Sequence, residues 1–199
     1  MNNLLKLSLA CVFLPVVLGG WAKAQVIDLS TDEAVRQALA KNDGFKSKLD
    51  RLCIERPVEL AKIIVIGAYA NDRDCRFEGA FLNSVYLEES AELTQSALAS
   101  FGWKKATPNR RQEIANSWVE KGLMAFSTVL YEKGKDFVPG RGITYKGGHK
   151  PSFPEFQPPR AVSTQDGEVI VTLWTSSMER ERRVYYRQFT FTKEGSLKP

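Results

Sequence analysis

Two hydrophobic periods share this chain, and the change from one to the other constrains its fold most. Ile114, Trp118, Gly122 and Phe126 recur every four residues, with Ala115, Val119, Ala125, Val129 and Leu130 widening the stripe. That spacing is the buried face of an amphipathic helix. From residue 160 onward the period falls to two. Residues 160–165 and 168–175 read as strands joined at Asp166-Gly167, a strong hairpin turn, and residues 182–193 as a third strand. Val169, Val171 and Leu173 share one face of the middle strand, while Ile170 and Trp174 share the other. The meander is therefore expected to be covered on both sides or to line a cavity. Helices first and strands after predict an α+β fold, N-terminal helices with one long amphipathic helix packed on a C-terminal antiparallel β-meander.

The long helix opens with Thr107 as cap and Pro108 in its first position, where a missing N–H is no loss. Gly122 costs about 1 kcal/mol against alanine inside a helix, which predicts close approach of a neighbouring element under Trp118 and Phe126. Upstream, Ser30-Thr31-Asp32-Glu33 forms a capping box, and Ala34, Val35, Ala38 and Leu39 line one face. Residues 31–42 thus read as a helix that a left-handed Gly44 closes. Phe45, Leu49 and Leu52 continue the spacing for a further turn or two.

Residues 58–70 carry two patterns. Val58, Ala61 and Val65 suit a helix, whereas Ile63-Ile64-Val65-Ile66 is a β-branched block suited to a buried strand. A helix ending near Gly67 is the expectation. Residues 78–101 are expected to be helical too, with a break near Glu89-Ser90 and Gly102 as terminator. Residues 25–132 therefore read as mainly helical.

The first 24 residues bear on location. Lys6 precedes an apolar run over residues 7–18, broken by Ser8 and Pro15, and Ala22-Lys23-Ala24 supplies a small-x-small ending. This is the order of a secretory signal peptide, cut between Ala24 and Gln25. It predicts export, to a periplasm or beyond, and one globular domain over residues 25–199. The run is short for a membrane-spanning anchor, and lipid attachment at Cys11 would leave few apolar residues before it. Cys53 and Cys75 then remain as an even pair without a Cys-x-x-Cys motif. In an oxidising compartment they predict a disulfide, worth about 3 kcal/mol in loop entropy.

Charge is unevenly spread. The chain holds 28 Lys/Arg against 23 Asp/Glu, but residues 25–132 hold 14 against 16 and residues 133–199 hold 12 against 7. Most of residues 133–159 reads as a Gly/Pro-rich basic loop, with a short strand at Ile143-Thr144-Tyr145. Such length calls for a function. Lys135, Arg141, Lys146, His149 and Lys150 are the candidate contact surface, with Phe153 and Phe156 as anchors. They suit a protein partner or an anionic partner of the cell envelope.

Catalytic signals are sparse. His149 is the single histidine, and no Gly-x-Ser-x-Gly, His-Glu-x-x-His, EF-hand or Walker pattern occurs. No cofactor and no metal are expected. Gly134-Lys135 and Gly140-Arg141-Gly142 lack the strand–loop–helix order that cradles phosphate. Glu113 and Glu120, seven apart on the long helix, would lie about 10.5 Å apart along its axis, the loose limit for a glycosidase pair. A solvated face is the favoured explanation, as for Glu88, Glu89 and Glu92. Core burial is favoured for Trp103, Trp118 and Trp174. The basic cluster Arg180, Arg182, Arg183 and Arg187 is interrupted by Glu179 and Glu181, and with so mild a net charge argues against nucleic acid. The leading expectation is an exported, non-catalytic binding protein. Its rivals are a small exported enzyme, a carboxylate hydrolase or a helix-on-sheet pocket enzyme, and a structural subunit of an envelope assembly.

Overall fold

The computed structural model describes residues 28–70, 74–134, 138–139, 155–176 and 183–198. Its first element is helix α1 (Asp32–Leu39), capped by Thr31, whose hydroxyl accepts the Ala34 N–H at 3.2 Å. The helix ends earlier than its apolar spacing predicts. Asn42 caps a 3-10 turn over Asp43–Phe45, so Gly44 lies inside a turn and is not left-handed. A second 3-10 turn, Leu49–Arg51, leads into strand β1 (Leu52–Glu55).

The described residues up to 132 are not mainly helical. β1, β2 (Ile63–Tyr69), β3 (Cys75–Leu82) and β4 (Val85–Glu88) form an antiparallel sheet in that order. The helix expected to end near Gly67 is β2, and the front of the helix expected over 78–101 is β3 and β4. The reason is burial of both faces. Ile63 and Val65 enter one core cluster, Ile66 and Ala68 a second on the opposite side, so the strand shows a continuous apolar run and no alternation. The β3–β4 turn is carried by Asn83 and Ser84, at φ 48° and 69°, a pair of left-handed residues without the glycine that marks such hairpins. Helix α2 (Ala91–Ser100) starts where a break was expected: the Ser90 hydroxyl accepts the Leu93 N–H at 3.1 Å.

Cys53 and Cys75 are joined by a disulfide, with Cα atoms 6.5 Å apart. Cys53 pairs with Gly67 and Cys75 with Tyr69, so the bridge ties β1 to β3 across β2. A Cβ on Gly67 would lie 2.5 Å from Cys75 Sγ and 2.6 Å from Phe126 Cε2. Glycine is what leaves room for the crossing.

Helix α3 (Pro108–Trp118) has the predicted Thr107 cap and first-position proline. It does not continue as α-helix to Phe126. Residues Val119–Leu123 form a π turn, closed by the Met124 N–H on the Val119 carbonyl at 2.8 Å. Gly122 is explained by Trp118 itself and not by a neighbouring element: a Cβ there would meet the Trp118 ring at 2.5 Å.

Strands β5 (Thr128–Leu130), β6 (Val138–Pro139), β7 (Arg160–Ser163), β8 (Val169–Ser176) and β9 (Arg183–Phe191) make the second sheet. β7, β8 and β9 are the antiparallel strands that the two-residue period predicts, and Gly167 turns left-handed at φ 79°. β5 pairs with the other half of the β8 edge that β7 occupies. β6 pairs parallel with β9 inside the stretch expected to be loop. The expected strand at Ile143-Thr144-Tyr145 lies outside the described residues. The molecule is mixed α+β, helices combined with antiparallel sheets.

One core cluster joins Val65 and Ala80 of the first sheet, Leu93 and Leu98 of α2, Ile114 and Trp118 of α3, and Val171 and Leu173 of β8. The second packs Val35 and Leu39 of α1, with Phe45, on Leu52, Ile66 and Phe81. Among the described residues, no helix is long and apolar enough to cross a membrane.

Candidate functional site

Pro57 ends the excursion from β1 and caps the 3-10 turn Val58–Leu60. Leu60 is buried in the core, which aims its neighbours outward: Val58 is 90% exposed. Opposite, the π turn holds Val119, Gly122 and Leu123 inward and presents Glu120 and Lys121. β5 completes the wall with Val129 and leads to Tyr131. Together these segments enclose an open groove of about 400 Å³, with Glu55, Glu59, Glu120 and Lys121 as its charges. Pro57, Met124, Ala125 and Val129 supply apolar wall.

Hydrogen bonds fix the centre of the groove. Asn116, one turn back on α3, donates Nδ2 to Glu120 Oε1 at 2.5 Å, and the Tyr131 hydroxyl donates to Glu120 Oε2. Lys121 Nζ stands 4.0 Å from Glu59 Oε1. Tyr131 is 55% exposed. Its phenol is pushed up to about 12, first by the hydrogen bond to Glu120, then by burial and the negative charges of Glu120 and Glu59. The phenol therefore stays a proton donor to Glu120 throughout the neutral range.

The two carboxylates weighed as an acid–base pair part company. Glu113 is exposed and accepts from Arg110 at 2.6 Å, whereas Glu120 enters the groove. Glu89 is raised by burial and by the charge of Glu78, at the far end of the first sheet. Among the described residues, no group of three or more His, Cys, Asp or Glu is placed to hold a metal ion.

Of the basic-loop residues singled out from sequence, Lys135, Arg141, Lys146, His149, Lys150 and Phe153 lie outside the described residues. Phe156 is described and half-buried, its ring centroid 6.2 Å from Trp174, which in turn lies 5.4 Å from Tyr186. It thus helps cover the outer face of β8, where Trp174 is 1% exposed. The other two tryptophans weighed are also buried, at 1% for Trp103 and 0% for Trp118.

The groove residues Glu55, Glu59 and Tyr131 escape sequence reasoning, since about seventy positions separate the two sides and no motif links them. Pro57 beside an outward Val58 is the one local signal. A second groove, about 610 Å³ and lined by Lys62, Ile64 and Phe81 among others, has less to offer. Its Arg56 is already engaged by Asp32 and the Leu29 carbonyl.

No protein-family model, no curated protein and no solved structure matches this chain.

Proposed function

We propose that this chain is an exported, non-catalytic binding protein, cut between Ala24 and Gln25, and that the groove between Glu59, Glu120 and Tyr131 receives its partner. The frame is α3 lying on the β7–β9 meander, with the π turn at its end turning Glu120 outward. One observation carries the reading: a concave surface whose central carboxylate already has both oxygens engaged, by Asn116 and Tyr131. Such a group suits fixed recognition better than proton shuttling, which needs a free oxygen facing substrate. Export is supported by the leader-like first 24 residues and by the Cys53–Cys75 bridge, which belongs to an oxidising compartment.

A second contact surface is proposed on the basic loop, toward a protein or an anionic envelope partner. Its support is the excess of cations over residues 133–199, together with the seat of Phe156 on Trp174, which fastens the end of that loop to the sheet.

A photocrosslinking amino acid at Ser127, which lines the groove, tests the reading in the cells that export the protein. Adducts at Ser127 and none at exposed Lys104, on a chain whose mass starts at Gln25, are the expected result. An intact Met1, or no adduct specific to Ser127, overturns it.

A further inference from the structure

We infer that the occupant of the groove is a basic segment of a partner protein, seated through lysine or arginine side chains. This rests on the groove being the binding surface, and adds the chemistry of what binds. Three carboxylates, Glu55, Glu59 and Glu120, border the cavity against a single ammonium, Lys121, at the 4.0 Å limit of contact with Glu59. The net negative charge is uncompensated within the groove, and a cationic side chain complements it.

The walls select the kind of cation. Lysine and arginine carry apolar stems that pack along apolar surface while the charged head reaches polar groups. Pro57, Met124 and Val129 provide that surface, and Val58 at 90% exposure extends it beyond the rim. Tyr131, 55% exposed as a residue and held through its hydroxyl by Glu120, offers an oriented aromatic side chain, and aromatic faces attract ammonium and guanidinium groups. An open groove of about 400 Å³ holds one or two such side chains of a chain passing over it.

The test uses the full mature chain at low salt, titrated with three probes: a soluble lysine–alanine peptide, its counterpart with every lysine replaced by glutamine, and spermidine. The lysine peptide should bind, the glutamine peptide at least tenfold more weakly. The double variant Glu55→Gln/Glu59→Gln leaves the Asn116–Glu120–Tyr131 hydrogen bonds in place, and its circular dichroism reports folding. It should lose at least tenfold in affinity for the lysine peptide. Equal binding of the glutamine peptide, or an unchanged affinity in the folded double variant, overturns the inference. So does spermidine binding as tightly as the peptide, which would make the occupant a small polyamine. A Ser127 adduct whose partner segment lacks lysine and arginine defeats this inference alone. Absence of that adduct defeats the underlying reading of the groove.

Discussion

At Tyr131 a single hydrogen bond sets the behaviour of a half-exposed side chain. A phenol held by Glu120 loses its proton near 12 instead of 10, and the direction of the effect on stability follows. Between those values the unfolded chain has released this proton while the folded chain keeps it, so stability falls as pH climbs from 10 toward 12. Ultraviolet titration of the phenolates should show two described tyrosines ionising late: Tyr86, which burial and the charges of Glu88 and Glu78 push up further, and Tyr131. Glu120→Gln should bring the Tyr131 step alone back toward 10. Two late tyrosines persisting in the variant, where Tyr86 alone is expected, would mean that burial and not Glu120 raises Tyr131. Such a coupling is invisible in sequence, where Glu120 and Tyr131 lie eleven residues apart and neither belongs to the apolar stripe that reads as one helical face from Ile114 to Leu130. The π turn breaks that stripe, and no residue type announces it.

Among the elements, α3 as far as Trp118 and the β7–β9 strands were legible because α3 buries one stripe and β8 alternates buried and half-buried residues from Val169 to Leu173. Thr107-Pro108 and Asp166-Gly167 marked their ends. The first sheet was not legible, because β2 is covered by α1 on one side and by the main core on the other, and the turn at Asn83-Ser84 lacks glycine. The pairing of the cysteines could be read from their number, but not its consequence for Gly67. That residue lies under the disulfide, and Gly67→Ala forces a methyl group against Cys75 Sγ and the Arg76 carbonyl. Overpacking of this kind costs about 1–3 kcal/mol. Urea denaturation should show that loss, whereas Gly134→Ala, with nothing within 4 Å of the added carbon, should leave the midpoint unchanged. Equal midpoints for the two variants would mean that the strands spread to admit the methyl group.

The molecule as a whole is held by two clusters that share one sheet. Val65 and Ala80 point into the larger, Ile66 and Phe81 into the smaller, and neighbouring residues of a strand cannot leave their partners separately. Unfolding should therefore be a single transition. Trp103, Trp118 and Trp174 are each at most 1% exposed, so their fluorescence should shift to the red together with the loss of far-ultraviolet dichroism. A tryptophan transition at lower denaturant than the dichroism would show that the α1 side survives alone.

The crossing of Cys53–Cys75 over β2 also governs what a protease can do. Hydrolysis of any one peptide bond in the span it closes opens the backbone without releasing a fragment, since the sulfur link still joins the two pieces. Nicked and intact protein should then run together on a denaturing gel until a reductant is added, and only then should the nicked form separate into two pieces.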